Sequence, residues 1–528
     1  MPRSARTAEH TTPEEGARFP RDVDVAIVGS GPAGAAYARV LSELAPQLAL
    51  AAFEVGPLIT DPPGAHVKNI ADAGQRASAQ RASEGPHPNV EAASTDTMDG
   101  YASGRPRLQR PGTFLLESGQ RRDGEDGLPA AAMSSNVGGM GAHWTGACPR
   151  PGGSEVVPFL PELPHLLAEA ERLLGVSAEV LADAPFADEV RKRLSVALDH
   201  DRAGDRQVQP MPLAVRRTPE GRLLWCGADV VFGDVTRANP RFSLFAEALV
   251  TRVLLDEDGT AVRGVRVRDR RTGDDHDITA RYVVVAGDSL RTPQLLYASG
   301  VRPPALGRYL NDQPQLVYAV RMRDLPDRPA APDCGAGVTA SSGVTWVPFT
   351  DDHPFHGQVM QLDASPVPLS DDGSATGELV PGSVVGLGWF CAKDLRAEDR
   401  VTFRDDEADA YGMPAMEIHY RLTDADHASI DHARTEILRT AAALGEPLDD
   451  TPPLVFPAGA SLHYQGTVRM GATDDGTSVC DPNSQVWGVR GLFVAGNGVI
   501  PTATACNPTL TALALAVGGA RGIADAER

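Results

Sequence analysis

Three sets of residues in this chain have the types and spacing to do chemistry. The first is Gly29, Gly31 and Gly34, spaced G-x-G-x-x-G directly after the apolar run Val25–Val28. In a dinucleotide site such glycines give a tight turn, a close backbone approach to pyrophosphate, and close packing of helix on sheet. A helix opening at Pro32 turns its free N–H groups and positive dipole end toward the phosphates. Glu54, twenty residues past Gly34, stands where a carboxylate would hold the ribose hydroxyls of an adenosine half. Strand, turn, helix and acid together predict an ADP-containing cofactor. They do not separate NAD from FAD.

The second set lies near the C-terminus. His463 sits in SLHYQGTVRMG, followed by a glycine turn, and Asn507 precedes Pro508 at the head of a helix. Imidazole is suited to general-base work near neutral pH, though a histidine in a strand can equally be a satisfied structural residue. Asn507 reads either as a helix N-cap or as part of an electropositive helix end that steadies a developing anion. The third set is the glycine-dense SSNVGGMGAHWTGACPRP around His143, Trp144 and Thr145. Asp351, Asp352, His353 and His356 could be pictured as a metal site, but a proline-containing loop of this kind predicts solvated turn residues and no metal. No G-x-S-x-G is present, so a serine-hydrolase elbow is excluded.

The elements that must hold these residues follow from pattern and composition. A chain of 528 residues buries a large core and predicts two domains, one interrupting the other. With 49 basic and 70 acidic side chains the formal charge is −21. That disfavours nucleic acid and anionic membranes as partners and suits a neutral or cationic ligand. The 53 glycines and 43 prolines predict many turns and long functional loops. Six scattered cysteines with no CxxC pair make neither a disulfide framework nor a zinc site. The polar N-terminus lacks the apolar stretch of a secretory signal, and no apolar run is long enough to span a membrane. These features together predict a cytoplasmic enzyme.

Along the chain, residues 1–20 read as a disordered lead-in. Residues 60–130 are polar and aperiodic, predicting a lid, a binding loop or partial disorder. The segment Pro161–Leu174 carries apolar residues at helical spacing and predicts a scaffold helix. Tyr282–Ala286 is continuously apolar, as a strand buried on both faces should be. From about Pro314 to Pro453 alternating strands predict an antiparallel sheet with helices, residues 430–445 being one of them.

The blocks GSGPAG, GGMGAHWTGA, AGDSLRTPQLLYASG, SLHYQGTVRMG and NPTLTALALA together resemble the glucose-methanol-choline (GMC) oxidoreductases. HWT at 143–145, the LHYQGTVRMG block and GNGVIPTATACNPTLTA most resemble pyranose oxidases and bacterial glycoside oxidases. The resemblance implies an α/β FAD-binding Rossmann-like domain with an interleaved α+β substrate domain built on an antiparallel sheet. Residues 21–155, 225–312 and 456–528 would form the FAD-binding domain, and 156–224 with 313–455 the substrate domain, including a substrate loop at 351–366. It implies FAD, held at Gly29, Gly31, Gly34, Glu54, Gly139, His143, Thr145, Ala286, Asn497, Pro508 and Thr509, and bound covalently through His143 in some relatives. It implies His463 as the base, Asn507 as its partner on the substrate oxygen, and Gln358 and Asp363 as sugar contacts. The implied reaction is oxidation of a ring hydroxyl at C2 or C3 of a pyranose or glycoside, with O2 reduced to hydrogen peroxide or a quinone as acceptor. Competing readings are a choline-type alcohol oxidase, a quinone-linked sugar dehydrogenase, and a flavin-binding protein without catalysis.

Overall fold

A computed structural model describes residues 18–86, 110–116, 118, 122–325, 343–362, 382–448 and 450–528. Its organising layer is a seven-stranded sheet in the order Phe242–Phe245, Leu50–Phe53, Asp22–Val28, Asp275–Val285, Val262–Asp269, Ala248–Leu255, with Leu492–Val494 also joined to Asp275–Val285. Leu50–Phe53 and Asp275–Val285 both run parallel to Asp22–Val28. Parallel neighbours need crossover connections, and those crossovers lay helices over the sheet faces. Val25, Ala26, Ile27 and Val283–Val285 are accordingly all buried. The long strand Asp275–Val285 divides its far edge, with Val262–Asp269 on its first half and Leu492–Val494 on its second.

The helix Pro32–Leu44 follows the glycine turn and packs on the C-terminal helix Thr509–Ala526. Small residues make the approach close: a Cβ at Gly519 would stand 2.0 Å from the hydroxyl of Tyr37. The helix Leu163–Leu174 ends on a left-handed Gly175 and lays Leu163, Leu166, Leu167 and Leu174 into the same core. The sequence places this segment with the substrate domain; it packs instead on the C-terminal helix. Thr509–Ala526 is apolar nearly all round, so it offers a second face that the leucine stripe can cover.

A second seven-stranded sheet is antiparallel, in the order Gly445–Pro447, Gln315–Met322, Val384–Cys391, Phe355–Leu362, Val344–Val347, Gln209–Pro210, with Leu454–Val455 also on Gln315–Met322. Its helices are Ala187–Leu198 and Asp424–Leu444. The latter starts earlier than the expected 430, because Thr423 and Asp426 form a capping box at its head.

Of residues 351–366, expected to be a substrate loop, half are a strand. Phe355–Leu362 is a strand paired on both edges, and Asp363 lies outside the described residues. Strand alternation explains this: Phe355 and Val359 face the helices, which sends His356 and Gln358 to the opposite face. His356, expected to be a solvated turn residue, is wholly buried. His353 does stay in the turn, on Asp201 at 3.0 Å. Among the described residues no group of three or more His, Cys, Asp or Glu is placed to hold a metal ion. No described helix is long and apolar enough to cross a membrane. Of the aperiodic stretch 60–130, a helix Ala73–Ala82 capped by Asp72 is formed, and residues 87–109 lie outside the described residues.

Candidate active site

A cavity extends from Gly29, Gly31 and Glu54 at one end to His463 and Asn507 at the other. Two of the three glycines at its head are demanded by the chain itself. A Cβ at Gly29, where φ is +97°, would lie 2.4 Å from the carbonyl oxygen of Ala286, and one at Gly34 would lie 2.2 Å from that of Gly29. Gly31 is different. Its φ is an ordinary −64°, and the nearest atom to a Cβ there is 3.9 Å away. No packing requires glycine at 31, yet its open side borders the cavity at the N-terminus of a helix, which is a cradle for a phosphate. Glu54 borders the same end. Its carboxylate accepts from Ser30 N at 3.0 Å, Ser30 Oγ at 2.7 Å and Gly56 N at 3.1 Å, while burial raises its pKa.

Gly139, His143, Thr145, Ala286, Asn497 and Thr509 line the middle of the cavity. Gly34 and Pro508 stand behind the wall; Pro508 is the N-cap of the last helix. His143 has Nε2 3.2 Å from Asn136 Oδ1, whereas its Nδ1 is buried without a partner. Burial holds this imidazole down to about 4, so it is neutral. The loop around it is rigid: His66 Nε2 lies 2.8 Å from the carbonyl oxygen of Trp144, and Trp144 Nε1 donates to Cys226 O at 2.9 Å. An open glycine at a helix N-terminus, a fixed buried acid and an orphaned imidazole nitrogen in one cavity fit an adenine-dinucleotide flavin.

At the far end, the state of His463 is fixed by Gln313. Gln313 Nε2 donates to the carbonyl oxygens of Thr504 and Cys506, both at 2.8 Å, so its Oε1 must face His463 Nδ1, 2.7 Å away. Nδ1 therefore carries the proton and Nε2 is a bare lone pair. Asn507 Nδ2 lies 3.2 Å from that Nε2. The His463 main-chain N–H donates to Ser461 Oγ at 3.0 Å, and Ser461 in turn donates to the buried Asp312 carboxylate, which also accepts from Gly459 N. This bracket holds Leu462 at φ +60°. Burial, then the charge of Arg110 and the neighbouring His356, push the His463 pKa down to about 3.

The loop that delivers Asn507 is fixed just as firmly. Buried Glu155 accepts from Ala505 N at 2.8 Å, Cys506 N at 2.9 Å and Gly152 N at 2.9 Å. Asn507 caps no helix, contrary to one sequence reading; its side chain turns to His463 and to Gln358, whose Nε2 donates to Asn507 Oδ1 at 2.6 Å. Gln358, expected to touch sugar, is thus placed on Asn507. Sequence reasoning missed Gln313, Asp312 and Glu155, which carry no local motif, and passed over Ser461 although it opens the SLHYQGTVRMG block. It also missed His356, for which the alternation in FHGQV was a usable signal.

A cavity wall carrying a bare imidazole nitrogen beside an amide donor suits removal of a proton from an alcohol. This chain belongs to the GMC oxidoreductase family, whose descriptions match residues 228–315 and 396–516. It is 63% identical to a C-glycoside 3-oxidase of Microbacterium trichothecenolyticum over 513 residues, 96% of this chain and 97% of that one. It is also 33% identical to a pyranose 2-oxidase of Tricholoma matsutake, covering 95% of this chain and 93% of that one. The formate oxidase of Aspergillus oryzae RIB40 shares the fold, with a TM-score of 0.64 at 17% identity over 97% of this chain and 99% of that one.

Two expected outcomes follow from this geometry. Gly34→Ala should destabilise the fold by about 1–3 kcal/mol through overpacking, whereas Gly31→Ala should keep the apoprotein's urea midpoint and weaken FAD retention. Equal midpoints for the two variants, or undiminished flavin after dialysis of Gly31→Ala, would contradict the assignment. With its pKa held near 3, His463 stays neutral on acidification, so flavin reduction should be flat from about pH 8 to about pH 5. A fall with a midpoint close to the ordinary histidine value of 6.5 would show a solvated base.

Proposed function

We propose that this chain uses FAD to oxidise a secondary ring hydroxyl of a pyranose sugar or glycoside to a ketone, at C3 of a C-glycoside, with O2 as electron acceptor. The observation that carries this reading is the convergence of His463 Nε2 and Asn507 Nδ2 on a cavity whose other end is the Gly31 and Glu54 cradle. The high identity to a C-glycoside 3-oxidase supports the choice of carbon. The division of labour that accompanies it gives the mixed sheet that carries the glycine turn, with its helices, to FAD and the antiparallel sheet to the sugar.

The steps assigned to this chain's residues are few. Asn507 Nδ2 donates to the substrate oxygen and holds it beside His463 Nε2. The bare Nε2 takes the hydroxyl proton, and Gln313 keeps the ring in the tautomer that can accept it. FAD, when bound, supplies the acceptor for the hydride that leaves the carbinol carbon. Gly31 and the helix behind it would hold its pyrophosphate, and Glu54 its ribose. Arg110, bordering the cavity and bonded to Ala460 O at 3.1 Å, favours the oxyanion that forms as the proton leaves.

Stopped-flow reduction under anaerobic conditions at saturating glycoside tests the assignment. His463→Ala should reduce its flavin ~10²–10⁴-fold more slowly with FAD still bound, and Asn507→Ala more slowly than wild type but less severely. Near-wild-type reduction in the His463 variant would sink the mechanism. Readmitted air should recolour the enzyme within the mixing experiment; slow recolouring would favour a quinone-linked dehydrogenase.

A covalent bond from His143 to FAD is the finer reading, supported by the buried, unpartnered Nδ1. Acid-precipitated protein should then stay yellow and carry the mass of one FAD. A colourless pellet would show that the flavin is held by contacts alone.

A further inference from the structure

We infer that the tip of a hairpin, residues 409–413, is a hinged wall of the cofactor cavity. Tyr411 is the surface on which the adenine of FAD lies, and Asp409 is the catch that holds the wall shut. This rests on the FAD reading above, and it brings to the cofactor a segment that the sequence assigns to the substrate domain. The hairpin is made of Arg400–Ala408 and Pro414–His419. Its base has a core of its own, where Val401, Met416 and Ile418 are buried with Leu290, Leu310 and Tyr420. The tip does not follow them. Met413 is 5% exposed and belongs to the core around the glycine-turn sheet, against which Tyr411 also packs.

Both side chains border the cavity, and they do so at its Glu54 end. Arg270 marks the place. It donates to the carbonyl oxygen of Val55, next to Glu54, at 2.9 Å, and its guanidinium carbon is 5.2 Å from the centre of the Tyr411 ring. Arg291 stands at the same distance from that ring. The Tyr411 hydroxyl lies 2.7 Å from Ser135 Oγ, and Gly56 approaches the same backbone so closely that a Cβ there would be 2.1 Å from Ser135 O. Glu54 is the residue given to the ribose, so the base on that ribose falls beside Tyr411. A flat aromatic face, with a thioether from the same turn, suits a purine.

Asp409 builds the turn with one oxygen and fastens it with the other. Oδ1 accepts from Tyr411 N at 2.9 Å and from Met413 N at 3.0 Å. Oδ2 accepts from Arg291, and from Gln294 Nε2 at 2.9 Å, both on the helix Arg291–Ala298. Gln294 Nε2 also donates to Pro414 O at 2.7 Å. Burial would raise the pKa of this carboxyl, but Arg291, Gln294 and the Met413 N–H hold it below its ordinary value, so the catch stays charged near neutral pH. The stalk is weaker. Its ladder runs from Arg400 to Arg404, is interrupted, and resumes only where Ala408 faces Pro414. Residues 404–408, 410 and 412 are exposed, and so is the one stalk contact from Tyr297 Oη to Asp405 at 3.0 Å. An arm with a broken ladder and an exposed stalk can swing with its tip intact once the catch lets go.

The probe is ADP, which carries the adenosine half without the flavin. Each protein is the full-length apoprotein with His143→Ala, so that no bond can retain flavin. Calorimetry should show ADP bound roughly tenfold more weakly by Tyr411→Leu, which keeps bulk and loses the ring, and within about twofold of the parent by Tyr411→Phe, which keeps the ring. Arg291→Met opens the catch and leaves the Asp409 turn built. On stopped-flow mixing with FAD it should speed uptake and release alike, each by roughly tenfold, with the dissociation constant changed much less than either rate. Equal ADP affinities in the Leu and Phe variants, or Arg291→Met rates like those of the parent, would each overturn the inference. So would an Arg291→Met variant that only releases FAD faster, because losing a simple contact leaves uptake unchanged. If Tyr411→Leu fails to fold, the two Arg291→Met rates decide alone. A parent apoprotein that binds no ADP would instead remove the FAD reading itself, and this inference with it.

Discussion

A neutral imidazole presents a bare nitrogen in only one direction, and here that direction is set by the amide of Gln313. Its NH2 is consumed by two backbone carbonyls, those of Thr504 and Cys506, so only its oxygen is free for His463 Nδ1. The same side chain ties three separate stretches together: the entry to the antiparallel sheet, the His463 turn and the loop that delivers Asn507. Were it free to turn, His463 could place its proton on either nitrogen, and the lone pair on Nε2 would no longer be fixed. Burial completes the arrangement by keeping the ring uncharged.

Buried carboxylates serve the same end in a different way. Glu155 and Asp312 both lie in the interior, where burial raises their pKa, for Asp312 to about 6. Each is satisfied by main-chain N–H groups of the loop it holds. Isolated buried charge is costly, and hydrogen bonding to several donors offsets much of that cost. The price of this arrangement is that neither acid could be shortened without orphaning backbone donors. What is obtained is a pair of irregular loops pinned to buried carboxylates, one carrying His463 and the other Asn507.

The fold and the glycine-turn end of the cavity were largely legible in the chain. Glycine spacing, an apolar run before it and an acid after it encode a local unit, and the structure puts all three at one end of the cavity. The antiparallel character of the second sheet was legible as well, from its alternation. Boundaries and loops were less so. Phe355–Leu362 falls in a stretch read as a loop from its proline, its neighbouring carboxylates and the family resemblance, yet it is a strand whose Phe355 and Val359 face the helices while Gln358 reaches Asn507. Leu163–Leu174 was recognisable as a helix, but its stripe did not say which core would cover it.

By itself the sequence determined what depends on neighbours along the chain: the glycine turn, the helix behind it, the strand periods and the blocks that mark the family. Local backbone sterics and hydrophobic period fix these, and both act within a few residues. Only the tertiary structure decided how His463 and Asn507 are held. Gln313 lies 150 residues from His463, and Gln358 lies 149 from Asn507. Hydrogen-bond direction between such residues depends on the packing of two sheets and on which donors remain unspent when every buried group has been satisfied. No local pattern records that count, because it is a property of the closed network and not of any segment in it.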